Sequence, residues 1–261
     1  MSVAAELSVV VPAYNEAVRL PATLDALVAH LAPLGARAEI VVVDDGSTDG
    51  TTAVVGERPT ASVRLSCVRL PENRGKGRAV GAGVSASAGR VVVFLDADLP
   101  YSLANLDHAV RVVAAGEADV AIGARDLDGS SYDPSYPLAR QIAGRTYAAL
   151  VRCLLGLPFG DTQCGLKSFR AEVAQQLFPL LTIDGYGFDV ELVYLAWTRG
   201  HRIHRLPVVL SHRHESRVRL LRDSARMFGD LWRVRRNEAA GVYGPRPLPW
   251  RLTASGRRPL A

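Results

Sequence analysis

The first 125 residues predict an α/β fold: a mostly parallel sheet flanked by helices on both faces. Short runs of β-branched residues alternate with segments whose apolar residues recur at helical spacing. The central run, Val91 to Leu95, is apolar throughout, as a strand buried on both faces must be. Several of the runs end abruptly in loops bearing carboxylates.

Leu7 to Val11 is the first strand, closed by Pro12. A helix follows with Pro21 in its first turn and Leu20, Leu24, Leu27, Val28 and Leu31 on one face, stopped by Pro33 and Gly35. Ile40 to Val43 is the second strand. It runs into Asp44-Asp45-Gly46-Ser47-Thr48-Asp49, whose Ser47, Thr48 or Asp49 can cap the next helix. Val63 to Leu70 is the third strand, and Asn73-Arg74-Gly75-Lys76-Gly77-Arg78 leads into a small-residue helix over 79–88. Val91 to Leu95 is the central strand, ending in Asp96-Ala97-Asp98. Ser102 caps a helix carrying Leu103, Leu106, Val110 and Val113, and Val120 to Ile122 is a further strand. Beyond it the pattern predicts helices over 137–155, 189–198 and 216–236, strands near 166–169 and 203–210, and a loop at 160–165. A single domain over 1–240 follows, with a disordered Pro- and Arg-rich tail over 241–261.

With 261 residues, 48% of them hydrophobic and 22% charged, the chain has the composition of an ordinary globular protein. Its net charge is +5, and the arginines that dominate its basic residues crowd the C-terminal third, which predicts an anionic partner there. Nucleic acid fits on charge alone, but no recognition motif supports it. Cys67, Cys153 and Cys164 have neither even count nor metal-type spacing, which predicts reduced thiols in a cytoplasmic protein. The N-terminus has no signal-peptide pattern and no apolar run approaches a membrane span, so the expectation is a chain that does not cross a membrane by itself.

Three loops, carrying Glu16, Asp44 with Asp45, and Asp96 with Asp98, follow parallel strands and so converge on one sheet edge. Carboxylates there suit base N–H groups and ribose hydroxyls. On extended backbone the Asp-x-Asp pair points both side chains one way, which suits a divalent cation completed by water and substrate phosphates. An isolated Asp-x-Asp is more often a solvated turn; its company sets this one apart. Lys76, in the Gly75–Gly83 stretch, comes to the same edge, where a helix N-terminus favours phosphate. A competing pattern is Gly75-x-Gly77-x3-Gly81, near a dinucleotide-binding fingerprint but off by one in spacing, which would make the protein an oxidoreductase. Lys76 is followed by Gly77 rather than Ser or Thr, so a P-loop is excluded. His201, His204, His212 and His214 have no common zinc spacing.

Val9–Glu16, Val41–Asp49 and Asp96–Asp98, in that order, resemble the family 2 glycosyltransferases of the GT-A fold. Asn73–Gly77, Asp161–Lys167 and Gly187–Leu192 are similar to the polyprenyl-phosphate sugar synthases, above all their dolichyl-phosphate β-glucosyltransferase branch. Gln163-Cys164-Gly165 stands where the mannosyl branch usually has Ser-Gly, which favours glucose. The resemblance implies an inverting enzyme that uses Mg²⁺ or Mn²⁺ and moves a hexose from a nucleotide-diphosphate sugar to a polyprenyl phosphate. It acts at the inner face of the cell membrane, reached directly or through a membrane protein partner. Carried over, Pro12, Tyr14 and Glu16 frame the base, Asp44 holds base or ribose, and Lys76 meets the diphosphate. Asp96 touches ribose or metal and Asp98 binds the metal. Arg125, Asp161, Gln163 and Lys167 lie on the acceptor side, and His212, Ser216 and Arg217 lie near the diphosphate. The family fold divides the chain into a donor half over 7–125 and an acceptor half over 126–240. A phosphate acceptor needs no strong base; a hydroxyl acceptor requires Asp161 or Asp189 to take its proton. Asp189 and Glu191 also suit a plain helix start, and Lys167 a solvated strand edge. The helix over 216–236 mixes Val218, Leu221, Met227, Phe228, Leu231, Trp232 and Val234 with seven arginines. It reads either as an interfacial helix on anionic lipid or as a solvated face packed on the domain.

Overall fold

A computed structural model describes residues 5–58, 62–132, 138–210 and 220–245. Strands β1 (Leu7–Ala13), β2 (Ala38–Asp44), β3 (Arg64–Arg69), β4 (Val91–Phe94) and β5 (Val120–Ala124) alternate with helices α1 (Leu20–Leu31), α2 (Thr51–Gly56), α3 (Lys76–Ala86) and α4 (Leu103–Ala114). The rest supplies β6 (Ser131–Tyr132), α5 (Leu138–Leu155), β7 (Lys167–Arg170), α6 (Ala171–Leu177), α7 (Phe188–Thr198), β8 (Ile203–Pro207), β9 (Val209–Leu210) and α8 (Leu220–Ala239).

Seven strands form one sheet in the order β3-β2-β1-β4-β7-β5-β8. All neighbours run parallel except β7, which is antiparallel to both β4 and β5. The chain leaves β1 toward β2 on one side and returns to β4 on the other, so the strand order reverses between β1 and β4, where open α/β sheets place their ligands. Alternation along β1 divides the core. Val9 and Val11 pack with Leu24, Leu27, Leu106 and Val113 on one face, while Val10 packs with Val80, Phe94, Phe169 and Phe188 on the other.

The expected strands and long helices are present with shifted ends. Pro21 sits in the first turn of α1, and Ser102 Oγ accepts from the Asn105 N–H at 3.3 Å as the cap of α4. The cap of α2 differs: it is Gly50, in the left-handed region at φ 85°. Asp49 accepts from the Thr51 N–H at 3.1 Å from one residue further back. The strand expected over 203–210 divides, because β8 joins the main sheet whereas β9 pairs with β6 in a separate two-stranded ribbon. From Gly241 the chain does not open into a tail: Gly241–Tyr243 turns and Tyr243 is buried. The remainder of the expected tail, 246–261, lies outside the described residues.

Candidate active site

Because β1, β2, β4 and β5 are parallel, their C-terminal ends deliver Tyr14–Glu16, Asp44–Asp45, Asp96–Asp98 and Arg125 to one edge of the sheet. The reversed β7 begins at that edge, so the loop entering it brings Asp161, Gln163 and Lys167 there too.

The first two loops brace one another. Asn15, a non-glycine at φ 53°, donates its N–H to Ser47 Oγ at 2.8 Å and accepts from the Thr48 N–H at 2.9 Å. The Glu16 N–H donates to Thr51 Oγ1 at 2.9 Å, and the Glu16 carboxylate takes the Arg19 guanidinium, with Nε at 2.6 Å. Half-buried Pro12 and 40%-exposed Tyr14 border this surface. Asp44 is fully buried, its carboxylate accepting from the Ser47 N–H at 2.8 Å and from Thr52 Oγ1. In this state its carboxylate shapes the loop rather than facing outward. Asp45 accepts from the Arg74 and Gly75 N–H groups, both at 2.8 Å, and so ties the second loop to the start of α3.

At α3 the glycines answer to packing. Gly75 has φ 104°, and a Cβ there would lie 2.5 Å from the Asp184 carbonyl oxygen. A Cβ on Gly77 would lie 2.6 Å from Phe188 Cβ, and one on Gly83 2.3 Å from a Val10 methyl. The pattern that resembled a dinucleotide fingerprint is thus a helix pressed against α7 and the sheet. Lys76, between the first two glycines, places Nζ 2.6 Å from Asp96 Oδ1 and 6.0 Å from the Phe188 ring centroid. Burial alone would lower its ammonium, but Asp96 and Asp189 outweigh burial and raise it.

The Asp-x-Asp pair does not sit on extended backbone. β4 stops at Phe94, the Leu99 N–H closes a turn on the Asp96 carbonyl at 3.0 Å, and Leu99 has φ 45°. The turn still keeps both carboxylates at the edge. Burial, then the charges of Asp96 and Glu16, push the Asp98 carboxyl up against the opposing pull of Arg19. Two carboxylates a residue apart, one kept eager for positive charge, fit a divalent cation. Among the described residues no group of three or more His, Cys, Asp or Glu could cage a metal. Remaining ligands would therefore come from water and substrate phosphates. A Cβ on Gly165 would lie 1.9 Å from Asp96 Oδ2, so the loop entering β7 packs directly on that carboxylate.

Arg125 and Asp161 lie 36 residues apart in sequence yet form a forked pair. Asp161 accepts from Arg125 Nε at 2.7 Å, Nη2 at 2.9 Å and backbone N–H at 3.0 Å, and from the Gln163 N–H at 3.0 Å. Although burial opposes it, these donors hold the Asp161 carboxyl well below the usual carboxylate range. Half-buried Gln163 turns its amide toward Met227 of α8, Nε2 to Sδ 3.9 Å. Lys167 is neither a solvated charge nor a surface ligand: it is fully buried, its Nζ donating to the Cys164 carbonyl at 2.7 Å and to the Asp189 carboxylate. His212, Ser216 and Arg217 lie outside the described residues.

Sequence reasoning passed over Arg19 and Tyr101, and placed Asp45 at the edge without its role. Tyr101 is buried beside the site and accepts the Gly165 N–H at 3.4 Å. Only the backbone partners of Asp45, 29 and 30 residues away, reveal its role.

The profile of the family described as "Glycosyl transferase family 2" matches residues 8–178. The chain belongs to that family. This family 2 glycosyltransferase is 32% identical over 250 residues to the dolichyl-phosphate β-glucosyltransferase of Dictyostelium discoideum, covering 91% of this chain and 76% of that one. It is 32% identical over 211 residues to the polyprenol monophosphomannose synthase of Mycolicibacterium smegmatis, covering 78% and 77%. It spans 62% of the length of the Drosophila melanogaster dolichyl-phosphate β-glucosyltransferase. Among solved structures it is similar to glucosyl-3-phosphoglycerate synthase of Mycobacterium tuberculosis in complex with Mn²⁺, UDP-glucose and phosphoglyceric acid. That match has TM-score 0.67 and 22% identity over 88% of this chain and 79% of the other. It shows the GT-A fold of the glycosyltransferase. Family membership replaces the oxidoreductase alternative.

Proposed function

We propose that this glycosyltransferase moves a hexose, glucose in the favoured case, from a nucleotide-diphosphate sugar to a polyprenyl phosphate, with inversion. Residues 7–125 serve the donor and 126–240 the acceptor. The observation that carries the acceptor class is the state of the two candidate bases. Asp161 is committed to Arg125, and Asp189 is committed to Lys167 in the interior. A carboxylate held by a guanidinium or an ammonium is a poor proton acceptor. An acceptor already ionised, as a lipid phosphate is, needs none.

In this reading an acceptor phosphate oxygen attacks the anomeric carbon while the bond to the diphosphate breaks, its electron pair leaving with the nucleoside diphosphate. Asp96 and Asp98 would hold Mg²⁺ or Mn²⁺, which when bound neutralises the charge developing on the leaving group. Lys76 adds a fixed positive charge beside the diphosphate. Pro12, Tyr14, Glu16 and Asp44 frame base and ribose, the last by shaping its loop. Arg125, held in place by the fork to Asp161, orients the acceptor phosphate with Gln163. Lys167 acts from behind, by fixing Asp189 and the Cys164 carbonyl.

No described helix is long and apolar enough to cross a membrane, so the lipid is met at a surface. The α8 helix supports this: Leu231 and Val234 are buried, while Trp232 is 61% and Phe228 39% exposed between exposed Arg226, Arg233, Arg235 and Arg236.

The test is turnover with Mg²⁺ and a panel of nucleotide sugars, with and without a short-chain polyprenyl phosphate. Release of nucleoside diphosphate that depends on the lipid establishes donor and acceptor together. Hydrolysis indifferent to the lipid removes the polyprenyl phosphate and leaves the family.

A further inference from the structure

Glu191 is fully buried and lies in the first turn of α7. Its carboxylate accepts from the Thr182 N–H at 3.0 and 3.1 Å, Thr182 Oγ1 at 2.6 Å, the Ile183 N–H at 2.9 Å and Tyr243 Oη at 2.7 Å. Asn237 of α8 completes the cluster, Nδ2 donating to Thr182 Oγ1 at 2.9 Å. The segment so anchored continues directly into Asp184. The Asp184 carbonyl accepts the Gly77 N–H at 2.7 Å and the Arg78 N–H at 3.3 Å. The Asp184 carbonyl also excludes a Cβ at Gly75, and the Ile183 carbonyl, with Phe188, excludes one at Gly77. Lys76 stands between those two glycines, with Asp96 at its tip.

We propose that Glu191 is a positioning residue for Lys76, holding the 182–184 segment as a clamp on the first turn of α3. Through Asn237 and Tyr243 the same carboxylate ties that clamp to the end of α8, so the seating of α8 sets the placement of the diphosphate cation. The backbone N–H groups of Thr182 and Ile183 can only donate, and a glutamine would meet them with one acceptor oxygen in place of two. The inference rests on the reading of Lys76 as a diphosphate ligand.

The test is a double-mutant cycle on binding of a nucleoside diphosphate with Mn²⁺, measured by calorimetry on the full chain, with thermal unfolding recorded for each variant. Glu191→Gln is expected to weaken binding about fivefold or more, and to add nothing in a Lys76→Ala background, because the two act as one unit. Tyr243→Phe, which removes one donor and leaves the carboxylate, is expected to give a smaller loss that also vanishes in Lys76→Ala. It carries the test alone if Glu191→Gln does not fold. Losses that add to that of Lys76→Ala, or variants that bind as the parent does, overturn the clamp. Lys76→Ala binding as the parent does overturns the reading of Lys76 itself.

Discussion

Lys76 Nζ and Asp96 Oδ1 lie 2.6 Å apart, joining the first turn of α3 to the loop after β4. The pair gives Asp96 a cationic partner in contact, while Asp98 lies between the like charges of Asp96 and Glu16 and the opposing charge of Arg19. The two carboxylates of one short motif are thereby made unequal, and Asp98 is the one with most to gain from an added cation.

Replacement of Asp98 by asparagine is expected to lower turnover about 10²-fold or more while leaving the fold intact. Because the Asp98 carboxyl is raised above 3.8, it takes up a proton earlier than an ordinary carboxyl as the pH falls. Mn²⁺ affinity should therefore decline with acidification at a higher pH than a free carboxylate pair would show. Turnover of the variant checks the first statement, and calorimetric Mn²⁺ titrations across pH, in the presence of nucleoside diphosphate, check the second.

Gly165→Ala puts a methyl where Asp96 Oδ2 now sits, 1.9 Å away. The carboxylate must swing aside. The expected result is weaker metal-dependent nucleotide binding, about tenfold, with stability lowered by about 1–3 kcal/mol. Calorimetry and urea unfolding on the same variant separate the two effects.

Asp161→Asn breaks the buried fork to Arg125 and is expected to cost about 3 kcal/mol at neutral pH. The Asp161 carboxyl is depressed in the folded protein, so its contribution is present in full above the ordinary value of 3.8 and is lost as the pH falls below it toward the folded-state value. The gap between variant and parent in urea unfolding should narrow below pH 3.8 accordingly.

Lys167→Met leaves the Asp189 carboxylate buried without its cation and should cost about 3–5 kcal/mol. Combining it with Asp189→Leu removes both charges and should restore most of the loss in urea unfolding.

Trp232→Ala with Phe228→Ala touches side chains that are 61% and 39% exposed. Stability should change by less than about 0.5 kcal/mol per site, while co-sedimentation with anionic vesicles falls. Sedimentation unchanged from the parent removes α8 as the lipid-facing element.

Much of the donor side was legible because its signals are local. β-branched runs mark β1, β2 and β4, and the carboxylates sit just beyond each. β4 ends at Phe94, one residue short of the apolar run, with the Leu95 N–H still donating to the Val10 carbonyl at 3.1 Å before the turn that Leu99 closes on Asp96. The seven-residue α6 is too short to show a helical period and went unseen. The acceptor side depends on pairs remote in sequence, Arg125 with Asp161 and Lys167 with Asp189. No spacing rule reveals that Lys167 points inward, since a lysine is buried only when a partner from elsewhere meets it.

The reversed β7 has a consequence for how such an enzyme can change. At the catalytic edge every other strand hands over its end, whereas β7 hands over its beginning, so the loop of residues 160–166 arrives from the opposite direction and spans no donor-side turn. The stretch between β5 and β7 has its two ends fixed by β5–β7 pairing, and it enters the core through Tyr147, Val151, Leu157 and Phe159. On the proposed division into donor and acceptor halves, a chimera exchanging residues 126–166 between relatives tests whether acceptor choice travels with this stretch.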